Sequence, residues 1–352
     1  MSKWYAFAGT GLVAALGLPA PAWAQTAEGV QIYGAVDLGV EIANNGKTQI
    51  RRLSSGLNTV SRFGIRGSED LGGGLKANIR LESGINADDG TPNNAAKWWS
   101  RWNHVGVSGP WGAIDLGRMW SPTFIVGLTS DPLARNRTSL GWNMFLQQSG
   151  ATATVFTPGF IDNSVRYTSP RIGGAWGELM YTFGEASNSS GNGLGMNLQY
   201  AAGPLYLGYG YQRLNGGSST APAADPKPSV SHFVGGTYRV GALTIYGTYN
   251  RNTSEEPNVP DSSNAMVSLR WGFAEQQAVL AQFAQRRVRD SDIKANGLQL
   301  GYDYMLSKRT TLYARYARID NAGRSAITLN GVALSAVGAD PSFAALGVSH
   351  VF

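Results

Sequence analysis

The chain has 352 residues, 46 of them Gly and 15 Pro, with 10 Trp, 15 Tyr and 12 Phe, yet only 15% are charged, against about 25% in ordinary soluble domains. It has no Cys, which excludes a disulfide scaffold, a Cys-ligated zinc site and a thiol nucleophile. The formal net charge is +6, from 29 basic and 23 acidic residues, and this glycine-rich, aromatic-rich, charge-poor balance suits strands and turns better than a cytosolic enzyme.

Residues 1–24 read as an export signal: Lys3, an apolar run over 4–18, and the small-x-small pattern Ala22-Trp23-Ala24. The run is short of the ~20 apolar residues of a membrane-anchoring helix. The remainder, 25–352, is expected to form a single domain of net charge +5, because Lys3 is the only charge removed. It contains no other apolar stretch long enough to span as a helix. A closed β-barrel is then the remaining way to cross a bilayer, since it too satisfies every backbone N–H and C=O.

Period-2 alternation follows down the chain. Leu75, Ala77, Ile79 and Leu81 alternate with Lys76, Asn78, Arg80 and Glu82. Leu194, Met196, Leu198 and Tyr200 alternate with small or polar residues, as do Leu205, Leu207, Tyr209 and Tyr211, and Leu298, Leu300, Tyr302 and Tyr304. Such runs mark strands with one apolar and one polar face. Sixteen are expected, at 30–41, 60–69, 75–85, 99–108, 113–120, 161–169, 175–185, 194–202, 204–213, 230–239, 243–252, 264–272, 277–287, 296–305, 310–320 and 343–352. Short connections (70–74, 109–112, 170–174, 202–203, 305–308) alternate with long ones (42–59, 86–98, 121–160, 214–229, 253–263, 288–295, 321–342). An even number of strands with turns at one end and long loops at the other is the signature of an outer-membrane barrel. A β-sandwich of this length would need several domains and a linker, and a propeller a repeat of roughly 40–50 residues; neither is visible.

Several segments then look familiar. Gln31-Ile-Tyr-Gly-Ala-Val-Asp, Ser61-Arg-Phe-Gly-Ile-Arg-Gly-Ser-Glu-Asp-Leu-Gly-Gly-Gly-Leu-Lys, Asn163-Ser-Val-Arg-Tyr-Thr-Ser-Pro, Gly301-Tyr-Asp-Tyr-Met-Leu-Ser-Lys-Arg-Thr-Thr-Leu-Tyr and the terminal Leu346-Gly-Val-Ser-His-Val-Phe resemble the general porins of Gram-negative bacteria, the betaproteobacterial branch above all. The resemblance covers about 30–352. It implies an all-β, sixteen-stranded antiparallel transmembrane barrel in the outer membrane, a homotrimer, and passive diffusion of small hydrophilic solutes. It further implies that the third long loop, 121–160, folds into the barrel and narrows it. No cofactor is implied.

Within that frame, strand parity turns Arg62, Arg66, Lys76, Arg80, Glu82 and Arg166 toward the lumen. The family carries an arginine cluster on the wall facing the loop, and Arg62, Arg101 and Arg166 sit in the matching motifs. Arg101 is placed inside by that pattern alone, because its own parity is ambiguous. Asp131, Arg135 and Arg137 are the only charges of the loop. Many general porins carry several acids there; this chain departs from that pattern, so a net positive constriction and anion selectivity are expected, with small anionic or neutral solutes as cargo. Arg118 shares parity with outward Ile114 and Leu116, or sits past a bulge at Gly117, and is a candidate contact to Asp88 or Asp89 of a neighbouring copy. Trp98, Trp99 and Trp102 suit girdle or trimer packing better than a sugar platform, and Trp120 and Trp142 are expected to anchor the loop. Phe352 resembles the terminal aromatic read by the barrel-assembly machinery, which with periplasmic chaperones would be a transient partner. Outer-membrane lipid and lipopolysaccharide are the surrounding ones.

Rival readings are weaker. Gly46-Lys47-Thr48 looks like the end of a phosphate-binding loop, but Glu41 occupies the position that needs Gly. The basic residues alternate along strands, unlike a nucleic-acid patch. A barrel phospholipase would need a Ser and an Asp or Asn beside His104, His232 or His350, and no such grouping or metal-ligand spacing is evident. A channel specific for a sugar or aromatic solute would use the same barrel with a different lining. A soluble periplasmic or secreted binding protein would leave the membrane fraction without detergent.

Overall fold

A computed structural model describes residues 29–145, 158–256 and 259–352; the expected export signal lies outside them. The strands in chain order are β1 (Gly29–Asn44), β2 (Gln49–Ser55), β3 (Arg62–Gly72), β4 (Leu75–Asn86), β5 (Thr91–Pro92), β6 (Asn103–Gly109), β7 (Gly112–Trp120), β8 (Phe160–Thr168) and β9 (Ala175–Thr182). The second half adds β10 (Gly193–Ala202), β11 (Leu205–Asn215), β12 (Pro228–Val240), β13 (Leu243–Ser254), β14 (Ser262–Ala274), β15 (Gln277–Val288), β16 (Lys294–Met305), β17 (Thr310–Ala322) and β18 (Ser342–Val351). Each pairs antiparallel with its neighbours, and β1 pairs with β18 from Ala35↔Val351 to Asn44↔Ser342, which closes the sheet. β2 and β3 lie end to end along β1 and form one stave, while β5 only extends the loop end of β4. The barrel thus has sixteen staves.

Alternation decides which side chains face out. In β10, Leu194, Met196, Leu198 and Tyr200 are exposed on the outer wall while Gly195, Asn197 and Gln199 point in and are buried. The same rule turns Val30, Ile32, Val36 and Val40 of β1 outward, and Asp37 and Glu41 inward. Apolar atoms face lipid and polar ones the interior, the inverse of a soluble protein.

The expected long connection 42–59 is instead a hairpin. β1 runs on to Asn44, and the Asn45 side chain accepts from Lys47 N at 3.1 Å and Thr48 N at 2.9 Å while Gly46 takes φ +95°. The apparent phosphate-loop ending is therefore a tight turn. The real break comes at 56–61, between β2 and β3. There the chain turns inward, Leu57 is fully buried, and Asp37 Oδ2 accepts from the backbone of Asn58 and Thr59. A second correction is at 99–102, which is irregular, since β6 starts only at Asn103.

The long connection between β7 and β8 carries two short helices, α1 (Pro122–Thr129) and α2 (Leu140–Asn143). Ser121 caps α1 by accepting from Phe124 N at 3.2 Å, with Pro122 at the first turn, and Ser139 caps α2. The α1 helix lies against the inner faces of β9–β12, and α2 against β15 and β16. The Leu-Gly-Tyr-Gly-Tyr run of β11 explains the fit, with the aromatics outward and Gly208 and Gly210 inward. A Cβ at Gly210 would lie 2.8 Å from Thr123 Cα, and one at Gly208 2.7 Å from Val126 Cγ1. Buried Leu140, Met144 and Phe145 then pack on Phe233, Met266, Ala284 and Ile319 of the wall. The interior is filled on that side.

Candidate constriction zone

The unfilled side is walled by β3, β4 and β6–β8, and there the inward basic residues gather around one acid. Glu82 is fully buried. Arg80 Nη2 donates to its Oε2 at 3.0 Å, Tyr33 Oη donates to the same oxygen at 2.8 Å, Arg62 Nε stands 3.7 Å away, and Arg101 Nε donates to Oε1. Three guanidiniums thus meet one carboxylate, leaving a local positive excess. Their side chains remain 23% (Arg62), 28% (Arg80) and 13% (Arg101) exposed toward the lumen. Arg80 also donates to Tyr33 Oη at 2.7 Å and lies over the Trp102 ring at 4.6 Å. Arg66 lies over the Tyr33 ring at 5.3 Å and donates to Gln31.

Arg101 reaches the cluster from the irregular segment, where strand parity does not apply. Its backbone N donates to Glu82 O at 3.1 Å, and Glu82 N donates to Trp102 O at 2.7 Å. That pair of backbone bonds is what turns it inward. Lys76 lies on the same inward face of β4, nearer the turns.

Arg166 differs. It is 7% exposed, donates to Asp115 at 3.0 Å and has Glu178 at 3.6 Å. It belongs to the wall, but two acids surround it, so it offers little free positive charge. His104 Nδ1 is 3.4 Å from the same Asp115. The sequence pattern gave no sign of this acidic pair, because Asp115 and Glu178 lie on different strands.

The loop charges do not line the passage as expected. Asp131 is 3% exposed and accepts from Ser139 Oγ, Gln282 Nε2 and the backbone N–H of Leu133 and Arg135. Arg135 is 5% exposed and sits over the rings of Phe233, Phe124 and Phe145 at 4.5, 5.5 and 5.8 Å. Burial pushes the Asp131 carboxyl up and the Arg135 guanidinium down to about 10. Both fasten the loop to the wall. Arg137 is half-buried nearer the mouth, beside Arg52 and Glu41. No loop carboxylate among the described residues therefore faces the arginine cluster.

The loop is also tied across the barrel. Thr138 Oγ1 donates to Leu57 O at 2.9 Å and Asn136 Nδ2 to Asn58 O, so the break in the second stave is its docking point. The last long loop joins in, which sequence reasoning missed: Asn330 N donates to Asn143 Oδ1 at 3.1 Å and Asn330 Nδ2 to Glu41 at 2.8 Å. The apolar Ile327 and Leu329 of that loop, both about 1% exposed, were the available signal.

The tryptophans divide. Trp102 is buried inside, against Trp120 at 4.9 Å and Phe160 at 6.2 Å, and Trp142 packs at Phe124 and Leu128. Trp98 is 67% exposed on the outer side, where it and Trp99 line a cavity of about 350 Å³ with Lys97, Arg118 and Asp162. Arg118 follows a bulge between Gly117 and Met119 and pairs with Asp162 of its own chain. The Phe352 ring lies against Gly34 of β1, where a Cβ would come within 2.5 Å of it. His232 bonds Tyr209, and His350 bonds Thr310.

Comparison with known proteins agrees with this architecture. The family model described as Gram-negative porin matches residues 10–324. The outer membrane porin protein 32 of Delftia acidovorans is 29% identical over 356 residues, covering 97% of this chain and 99% of that one. The solved structure titled as an anion-selective porin from Comamonas acidovorans aligns with TM-score 0.81 and 26% identity, over 92% of this chain and 99% of that one. An outer membrane protein of Vibrio cholerae solved in a trimer form shares the fold at TM-score 0.66 and 16% identity, over 92% of this chain and 99% of that one.

Proposed function

The chain belongs to the Gram-negative porin family and forms a water-filled channel in the outer membrane, with no enzymatic role, and from that premise we propose that the channel is anion-selective and works as a homotrimer. One observation carries the selectivity: Arg62, Arg80 and Arg101 converge on the single carboxylate of Glu82, while the loop acid Asp131 is buried and hydrogen-bonded. In a lumen, charge at the narrowest part sets the local ion concentration. A positive wall without opposing acids raises the anion concentration and lowers that of cations. The relative titled as anion-selective supports the same sign.

The homotrimer is supported by an asymmetry of the outer wall. Strands β18, β1, β3, β4, β6 and β7 present mainly Val, Ile, Leu and Ala outward, with Phe63 and the terminal Phe352 as aromatics on the strands and Trp98 and Trp111 exposed in the adjoining connections. Strands β8–β17 present Tyr167, Tyr181, Tyr200, Tyr238, Tyr249, Trp271 and Tyr316. Aromatic girdles mark contact with the lipid interface, so the sector whose strands are poorer in them suits contact with further copies.

Planar-bilayer recording across a KCl gradient tests the selectivity. The zero-current potential should have the sign of a chloride-preferring pore; the cation-preferring sign overturns the reading.

A further inference from the structure

Tyr33 stands within the arginine cluster, and the channel reading gives it no task. It lies on the inward face of β1, directly opposite Gly64 of β3, and Arg66 of β3 is directly opposite Arg80 of β4. The phenol reaches across β3 to β4. Its Oη donates to Glu82 Oε2 at 2.8 Å and accepts from Arg80 Nε at 2.7 Å. The guanidinium carbons of Arg66 and Arg80 lie 5.3 and 5.4 Å from the ring centroid. Gly64 makes the crossing possible. A Cβ there would lie 2.5 Å from Tyr33 Cζ and 2.6 Å from its Oη, and the nearest atoms it would meet all belong to Tyr33. Gly64 is not in the left-handed region, so what the ring uses is the space left by the missing side chain.

Like charges directly opposite each other in an antiparallel pair are destabilising, and the ring attracts both cations. The hydroxyl does more. Arg80 gives Nη2 to Glu82 Oε2 at 3.0 Å and Nε to Tyr33. Arginine and carboxylate commonly pair through two parallel bonds, yet here the carboxylate receives one. The second goes to Tyr33, and Arg80 Nη1 makes no hydrogen bond within the described residues. The Arg80 side chain stays 28% exposed while Glu82 is fully buried. Tyr33 thus keeps Arg80 from closing onto Glu82.

We propose that Tyr33 is a positioning residue for ion selection: by taking the Nε bond of Arg80 and occupying one acceptor site of Glu82, its hydroxyl holds the Arg80 guanidinium out toward the passage. Without the hydroxyl, Arg80 turns Nε and Nη2 together onto Glu82. The positive charge then retreats from the solute path, although no charge has been removed from the chain. The proposal rests on the anion-preferring reading of this cluster and names the uncharged group that sets its strength.

Planar-bilayer recording across a KCl gradient compares the unmodified channel with Y33F, R80A, Y33F/R80A and G64A. A guanidinium drawn back from roughly 6 Å to roughly 9 Å loses about a third of its Coulomb interaction with a passing ion. Y33F should therefore lower the anion-to-cation permeability ratio about twofold. Because Tyr33 acts through Arg80, Y33F/R80A should match R80A alone. G64A pushes the phenol aside without touching a polar group and should repeat the Y33F shift. Heat-modifiable oligomer on gels checks that each variant is folded; if Y33F does not assemble, G64A decides, and an unchanged ratio in it overturns the proposal. An unchanged ratio in folded Y33F also overturns it, since a packing role alone would lower stability and leave the ratio as it is. So does a Y33F shift that persists in full on the R80A background, which would put the hydroxyl in direct contact with the solute. The sign measured for the unmodified channel tests the ion preference. The change on Y33F is read relative to that value whichever sign it has, so the two failures are distinct.

Discussion

Arg80 shows how the single residue acts. Its guanidinium bonds Glu82 and Tyr33 and lies over Trp102, so its position is fixed while its outer edge meets water. A unit charge passed at roughly 6 Å in high dielectric is worth about 0.7 kcal/mol, near a threefold change in local ion concentration. Because a cation is depleted by the same factor that an anion is enriched, Arg80→Ala should lower the anion-to-cation permeability ratio by up to about tenfold, read from the reversal potential. Raising the salt to 1 M shortens the screening length to about 3 Å from about 10 Å at 0.1 M, so the preference of the unmodified channel should fall toward unity in the same measurement. Glu82 has the opposite task of holding three like charges together. Glu82→Gln should cost about 2 kcal/mol, less than the loss of a wholly buried partner because the guanidiniums keep some water, and should lower the denaturant midpoint. The acid at the centre of the cluster was legible from parity. Its convergence with Arg62, Arg80 and Arg101 was not, because it depends on sheet register and on a backbone excursion at 99–102.

The inserted loop shows how an element acts. Its length marked it in the sequence, but its charges pointed to the wrong role. Asp131 and Arg135 bind the loop to the wall instead of lining the passage, since a buried charge in this setting needs hydrogen bonds and ring faces around it. Asp131→Ala leaves Ser139 and Gln282 without their shared acceptor and should weaken docking of the loop by about 2 kcal/mol. Single-channel recording should then show higher and noisier conductance. Unchanged traces would mean that the other ties, at Leu57 and Asn58, hold the loop alone.

At the scale of the molecule, closure depends on the outer wall, and so does the trimer proposed above. Phe352 fills the space above Gly34, and its backbone N donates to Gly34 O at 3.1 Å while Gly34 N donates back at 3.0 Å. Removing Phe352 should reduce the heat-modifiable oligomer recovered from outer membranes; an undiminished yield would separate this residue from assembly. Val40 lies in the aliphatic sector beside Leu346. Val40→Arg should shift the oligomer toward monomer on semi-native gels, because an unpaired guanidinium in an apolar contact is strongly unfavourable. Tyr200→Arg in the aromatic sector should leave the oligomeric state as it is.

The sequence by itself determined the barrel. Alternation is a local property, each residue's side of the wall follows from its neighbour's, and the count of alternating runs sets the number of staves. Parity likewise put Arg62, Arg66 and Arg80 on the inner face. Tertiary structure decided what local pattern does not encode. It made 42–59 a hairpin and placed the break at 56–61, where the loop from the opposite wall needs an anchor. It gave Arg166 two carboxylates from other strands, gave Arg118 the Asp162 of its own chain, and brought the last loop onto Glu41. It set Arg251, Arg287 and Lys294 side by side on the outer wall. Each of these depends on register between strands far apart in sequence, and register is fixed only when the sheet closes.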